Sequence, residues 1–245
     1  MKIRHIFLPL AALLLLSSAS CSVKKPKAEE ERETWLHSLN DSIAKYRAEV
    51  EETSAALHVS QTEVGDMISK FEHVANPRHV EGYYIYQGWK NRYPLQQTGV
   101  VARITDDERF ELIAVLSGGN FNQIAVSGGS GSAATKVVPH DQALNYRAGS
   151  LNTVCFYGAV ADSVGMYIAD NMSHNLTVAY MNNGSKTSSF KLPSDEKEMI
   201  AATYKLYAAQ KTTHQLERKL PMLAKKIDTC RKMLESLDSV AKTQN

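Results

Sequence analysis

An excess of charge of one sign is missing from this chain: 28 Lys and Arg stand against 26 Asp and Glu. Without Lys2 and Arg4, in the N-terminal segment, 26 of each remain and the net charge is zero. Apart from Lys24, Lys25 and Lys27 there is no basic stripe, which excludes the positive footprint of a nucleic-acid binder. Cysteine is scarce too, with three in all. No CxxC and no metal-type Cys/His spacing occurs, so no zinc site, disulfide framework or cofactor is expected. The longest apolar run, Ile6 to Leu16, contains Pro9 and is too short to span a bilayer. Phosphate-loop and nucleophile-elbow motifs are also missing. Ser127-Gly128-Gly129-Ser130-Gly131-Ser132 has no Lys-Ser/Thr after it and lacks GxSxG spacing, so it reads as a flexible loop.

What is present begins with an address. Lys2 and Arg4 precede the apolar run, and Ser17 to Ser20 lead into Cys21. The stretch Leu16-Ser17-Ser18-Ala19-Ser20-Cys21 resembles the lipobox of bacterial lipoproteins, with Ser18 where leucine is usual. The resemblance implies cleavage, lipidation of Cys21 and a membrane anchor in the bacterial cell envelope. Ser22 after the cysteine implies transport to the outer membrane. Lys24, Lys25 and Lys27 then form a solvated tether beside anionic head groups. Three triplets, Asp41-Ser42-Ile43, Asp162-Ser163-Val164 and Asp238-Ser239-Val240, resemble the acceptor that some Gram-negative bacteria O-glycosylate in exported proteins. That pattern agrees with the address.

Two heptad seams follow. Leu36, Ile43, Val50, Leu57, Val64 and Phe71 occupy a positions, with Leu39, Tyr46, Thr53, Ser60, Met67 and Val74 at d. This predicts one helix from about Glu29 to Ala75, ended by Asn76-Pro77 and about 70 Å long. After Pro193, Ser194 is a good N-cap. A second seam has Met199, Leu206, Thr213, Leu220, Ile227, Leu234 and Ala241 at a, with Ala202, Ala209, Leu216, Leu223, Cys230 and Leu237 at d. Pro221 falls on its outer face and is expected to kink or split that helix. Residues 29–75 carry a net charge of −7 (11 acidic, 4 basic) and 194–245 a net of +3 (7 acidic, 10 basic), which favours pairing with each other. Antiparallel pairing with residue numbers summing to 273 sets Ile43 on Cys230, Ser60 on Thr213, Phe71 on Ala202 and Val74 on Met199.

Residues 80–193 alternate short Val/Ile/Tyr/Phe runs with Gly, Asn, Ser and Asp. Strands are predicted at 83–86, 100–105, 110–116, 123–126, 136–138, 153–157, 177–181 and 188–192. Asp106 to Arg109 and Asn182-Asn183-Gly184 read as hairpin turns. Asp162 is predicted to cap a short helix.

Three groups are candidates for chemistry. Tyr84, Tyr86, Trp89 and Tyr93 are dense enough to form a recognition patch for sugar or protein, although aromatics of this kind also fill cores. Ser130, His140 and Asp141 suggest a hydrolase, but neighbouring residues on extended chain point to opposite faces. His73, His79 and Glu81 gather at a junction without the further ligand a metal would need.

The expected fold is α+β, an antiparallel two-helix coiled-coil stalk with an inserted β-rich head. Its expected parts are a signal peptide (1–20), a lipidated linker (21–28), an N-terminal coiled-coil helix (29–75), the head (80–193) and a C-terminal coiled-coil helix (194–245). The expected role is a binding or scaffolding module for an envelope protein or glycan, not an enzyme. The alternative is a periplasmic hydrolase using the Ser130/His140/Asp141 region. Oligomeric state is left open by the sequence.

Overall fold

The computed structural model describes residues 25–75, 81–139 and 146–243. Among them the fold is α+β, with three helices and two antiparallel sheets. The two long helices form from the charged arms, α1 over Lys25–Ile68 and α3 over Ser194–Thr243. Pro26 lies in the first turn of α1, where a missing N–H is harmless because first-turn amides have no intrahelical acceptor. Helix therefore starts inside the expected linker 21–28, and the acidic run from Glu29 lies beyond the first turn. α3 runs through Pro221 as one helix and is not split. The proline is exposed, so the carbonyl it leaves without a donor can turn to water.

The expected helix end near Ala75 is corrected. α1 stops at Ile68; Ser69 Oγ donates to the Asp66 carbonyl (2.7 Å) and Lys70 N–H to that of Met67 (3.1 Å). Phe71–Val74 becomes strand β1, paired antiparallel with β2 (Tyr83–Tyr86) so that Phe71 faces Tyr86 and Val74 faces Tyr83. The Phe71 and Tyr86 rings meet edge to face at 5.5 Å. That cross-strand contact and a ladder of hydrogen bonds outweigh two more seam positions on a helix. The helical layers expected for Phe71 and Val74 are lost. Met199 is instead fully buried, its sulfur 3.2 Å from the Ala102 N–H.

The chain divides into two compact units. The first takes its described residues from Met1–Val50 and Leu223–Asn245. Within it Leu39, Ile43 and Leu223 are buried, while Leu36, Tyr46, Val50, Ile227, Cys230, Leu234 and Leu237 are half-buried. Arg32 Nη2 lies 3.5 Å from Asp238 Oδ1, and the Lys226 ammonium 5.2 Å from the Tyr46 ring centre. Early residues of α1 thus meet late residues of α3, as an antiparallel pair does.

The second unit is Glu51–Met222. Its first sheet has the order β1-β2-β3-β4-β8-β7, with β3 Gly99–Thr105, β4 Phe110–Ser117, β7 Tyr146–Ala148 and β8 Leu151–Tyr157. Its second has the order β10-β9-β5-β6, with β5 Gln123–Ser127, β6 Ser132–Ala134, β9 Thr177–Asn182 and β10 Ser185–Lys191. The strand expected at 136–138 is displaced to β6. Residues 135–138 bond to β5 and its entry through two backbone pairs, Thr135 N–H to Ile124 O (2.9 Å) and Val138 N–H to Asn122 O (2.9 Å), and otherwise through the Thr135 and Gln123 side chains, which is no ladder. Helix α2 (Ala159–Asp170) starts earlier than expected. Gly158 is its N-cap and accepts from the Ala161 and Asp162 amides, so Asp162 lies in the first turn and is not the cap.

β4 is buried on both faces from Phe110 to Leu116. On one face Phe110 meets Tyr204 (5.4 Å) and Tyr207 (5.7 Å) of α3, and Gly165 of α2 lies so close that an added Cβ would fall 2.7 Å from the Phe110 ring. Tyr180 of β9 joins the sheets, its hydroxyl 2.8 Å from the Val115 carbonyl and 3.0 Å from that of Gly99. Ser60 of α1 and Thr213 of α3, both buried, share a hydrogen bond of 2.7 Å.

Candidate functional site

β2 alternates, and the alternation separates the aromatic candidates. Tyr84 and Tyr86 share one face with their β1 partners His73 and Phe71. Tyr84 packs on the His73 ring at 4.8 Å, and the Tyr86 hydroxyl donates to Glu198 of α3 at 3.1 Å. Tyr93 serves the opposite face, where its ring meets Tyr83 at 5.7 Å and its hydroxyl accepts from Arg103 at 3.2 Å. Trp89 is 4% exposed and belongs to the core, with the Arg92 guanidinium 3.9 Å above its ring. Arg92 in turn pairs with Asp195 at 2.6 Å. The four residues therefore form no single exposed platform.

Beneath Tyr83 and Tyr93 lies a buried ion pair, Arg103 Nε to Glu111 Oε2 at 2.7 Å, with Glu111 buried. On β8, which pairs with β4, Tyr157 stands opposite Glu111 and Cys155 opposite Ile113. Burial, then the Glu111 charge, pushes the Cys155 thiol up to about 12, so it stays protonated and unreactive. Both Cys155 and Cys230 are free thiols.

The junction residues are held by ion pairs. His73 Nε2 lies 2.9 Å from Asp106 Oδ1, and Gly82 N–H donates to the other Asp106 oxygen at 2.8 Å. Arg109 grips Glu81 with Nη2 at 2.8 and 3.1 Å and reaches Asp107 with Nε. Burial pushes the Asp107 carboxyl up, but its hydrogen bonding with Glu81, Thr105 and Arg109 outweighs that and holds the group at about 2. His79 lies outside the described residues. Among those described, no three His, Cys, Asp or Glu side chains are grouped to hold a metal ion.

The loop expected to be flexible is pinned. The Tyr167 hydroxyl reaches the carbonyls of Gly128 and, at 2.7 Å, Gly131. Gly129 packs so tightly that a Cβ there would fall 2.5 Å from Asn171 Oδ1. Ser130 is exposed at the tip, and His140 and Asp141 lie outside the described residues. So does Cys21. Of the Asp-Ser triplets, Ser42 and Ser239 bond to carbonyls of their own helices (2.8 Å each), and Ser163 reaches the Ala134 carbonyl at 3.3 Å.

A recess absent from the sequence reading lies between the β3–β4 turn and the middle of α3. It measures about 240 Å³ and is lined by Glu108, Tyr207, Lys211, His214 and Arg218, with Gln210 and Gln215 beside them. Glu108 Oε2 is 3.1 Å from His214 Nδ1. The helical residues repeat at i, i+4, i+7 and i+11 on an outward face, a pattern that reads as plain solvated helix. The available signal was Glu108, which occupies the turn position at φ 63° where glycine or asparagine is usual. Comparison with protein-family models, with curated proteins and with solved structures returned no match.

Proposed function

We propose that this chain is a lipid-anchored protein of the bacterial envelope, sorted to the outer membrane, that works as a binding or scaffolding module and not as an enzyme. Its α1 and α3 arms form an antiparallel coiled-coil stalk, and the β-rich head inserted between them meets a protein or glycan partner. The observation that carries the architecture is the Ser60–Thr213 hydrogen bond of 2.7 Å. Their numbers sum to 273, the register in which the only doubly polar layer pairs with itself. The sheltered residues of both helices support it, since Leu39, Ile43, Thr53, Ser60, Leu206, Thr213 and Leu223 are all buried seam positions. The address rests on the run Leu16 to Cys21, which precedes the start of α1 at Lys25 by four residues.

The test of the anchor is Cys21→Ser. The native chain is expected to incorporate labelled fatty acid and partition into detergent, and the variant to do neither. A variant that remains membrane-bound and normally processed overturns the reading. Pull-down of the intact lipoprotein from envelopes then identifies the partner of the head.

A further inference from the structure

We propose that the recess between the β3–β4 turn and α3 is a binding site for a sugar acid, a single sugar ring bearing a carboxylate or a phosphate. The proposal gives the head of the preceding reading a ligand, and it rests on that reading for the site's role but not for its geometry.

The turn delivers Glu108 in a costly conformation. A left-handed φ of 63° is rare outside Gly, Asn and Asp, and hairpin geometry alone would be better served by glycine. The turn is held rigid below by Arg109 on Asp107 and Glu81. The conformation sets the Glu108 carboxylate against His214, 3.1 Å away, and makes it one lip of the recess. The other lip is cationic. Lys211 and Arg218 stand two helical turns apart on α3, with His214 between them. Lys211 has one ion-pair contact, a long 4.0 Å to Asp162, and its ammonium lies 5.7 Å from the Tyr207 ring centre; among the described residues Arg218 has no ion-pair partner. Two underused cations converging on one recess select an anion with oxygen atoms to share, a carboxylate or a phosphate.

The remaining lining asks for more than an anion. Glu108 offers acceptor oxygens and Gln210 an amide. These groups call for hydroxyl donors. Tyr207 supplies an aromatic wall suited to the C–H face of a ring. The volume, about 240 Å³, is below the ~300–1,000 Å³ of pockets that enclose drug-sized ligands, which fits one ring. Hydroxyls, one negative group and a ring-sized body together describe a sugar acid.

The test is a titration of the full chain, purified in detergent, followed by the His214 ring signals in NMR. The probes are glucuronate, glucose 6-phosphate, glucose and inorganic phosphate. Saturable shifts are expected with glucuronate or glucose 6-phosphate, and the stronger of the two tells whether a carboxylate or a phosphate is read. Glucose and inorganic phosphate are expected to bind at least about tenfold more weakly, each lacking half of the recognised chemistry. Lys211→Gln and Arg218→Gln, both on an exposed face, should each weaken the better acid about tenfold while leaving the circular dichroism unchanged. Glu108→Gly should keep the turn, since glycine suits positive φ, yet also weaken binding. No saturable shift with either acid, equal binding of inorganic phosphate, or indifference to both cation variants overturns the proposal. Cys21→Ser should leave the titration unchanged, so failure of the anchor and failure of the site are read separately.

Discussion

Thr213→Val tests the one polar layer between the long helices. Thr213 Oγ1 lies 3.0 Å from the Ala209 carbonyl, to which it donates, and 2.7 Å from Ser60 Oγ. One hydroxyl proton cannot serve both, so the order is Ser60 donating to Thr213 and Thr213 donating to Ala209 O. The two single substitutions are therefore unequal. Ser60→Ala removes a donor and leaves Thr213 satisfied through Ala209, costing about 0.5–1.5 kcal/mol. Thr213→Val keeps the volume but strands the Ser60 hydroxyl at a site only 7% exposed, costing about 1–3 kcal/mol. In the double variant both polar groups are gone and the layer is apolar, so most of the second penalty should disappear. The assay is urea unfolding of all four proteins by far-UV circular dichroism. A coupling of about 1 kcal/mol or more is expected between the two sites. Additivity within about 0.3–0.5 kcal/mol would show that the two hydroxyls do not depend on each other and would refute the reasoning.

Ile43→Cys should form an intramolecular disulfide with Cys230 under mild oxidation, and Val50→Cys should not, as non-reducing gels would show; crosslinks only between chains would replace the monomeric hairpin by an oligomer. Glu196 is buried at the start of α3 and accepts the Val100 N–H at 3.1 Å. Burial pushes its carboxyl up from 4.5 to about 7, against the pull of that N–H, so the folded state holds a proton that the unfolded state has released. Its contribution to stability is complete below about pH 4.5 and lost as pH rises through about 7. Melting temperatures should therefore fall across that window in the native chain more than in Glu196→Gln, and parallel profiles would discard the assignment. Gly165→Ala should destabilise by about 1–3 kcal/mol despite alanine's better helix propensity. Its Cβ would fall 2.6 Å from Tyr204 Cδ2 and 2.7 Å from Phe110 Cε1, and a neutral or stabilising result in thermal melts would mean that both rings can move aside.

Much of the fold was legible because its signals are local. Strand β2 matches its expected bounds, and β3, β4, β5, β8, β9 and β10 lie on the runs of alternating apolar residues. The Asn-Gly turn between β9 and β10 takes positive φ at both central residues, Asn183 at 49° and Gly184 at 82°. What was hidden depends on distant partners. Phe71 and Val74 continue the heptad by number, and only the tyrosines of β2 decide that they pair as a strand. β6, with the residues Ser-Ala-Ala, has no apolar alternation of its own and exists because β5 offers it an edge. Residues 136–138 had the better composition, yet Val137 is half exposed and the segment bypasses the ladder.

The candidate sites divide along the same line. Aromatic density drew attention to the segment from Tyr83 to Tyr93, but density does not say which side of a sheet a loop will cover. Trp89 turned inward because Arg92, held by Asp195 of α3, closes over its ring, a contact between residues about a hundred positions apart. The recess by α3 was invisible for the opposite reason. Lys211, His214 and Arg218 look like an ordinary outer face until the β3–β4 turn is laid beside them. Helical spacing shows which residues share a face, and it cannot show what faces them. The one local clue was a residue in the wrong place. A hairpin turn that puts glutamate where glycine would be less strained gains nothing for the turn itself, so the reason for Glu108 has to be sought in what its side chain touches. It touches His214, and the recess begins there.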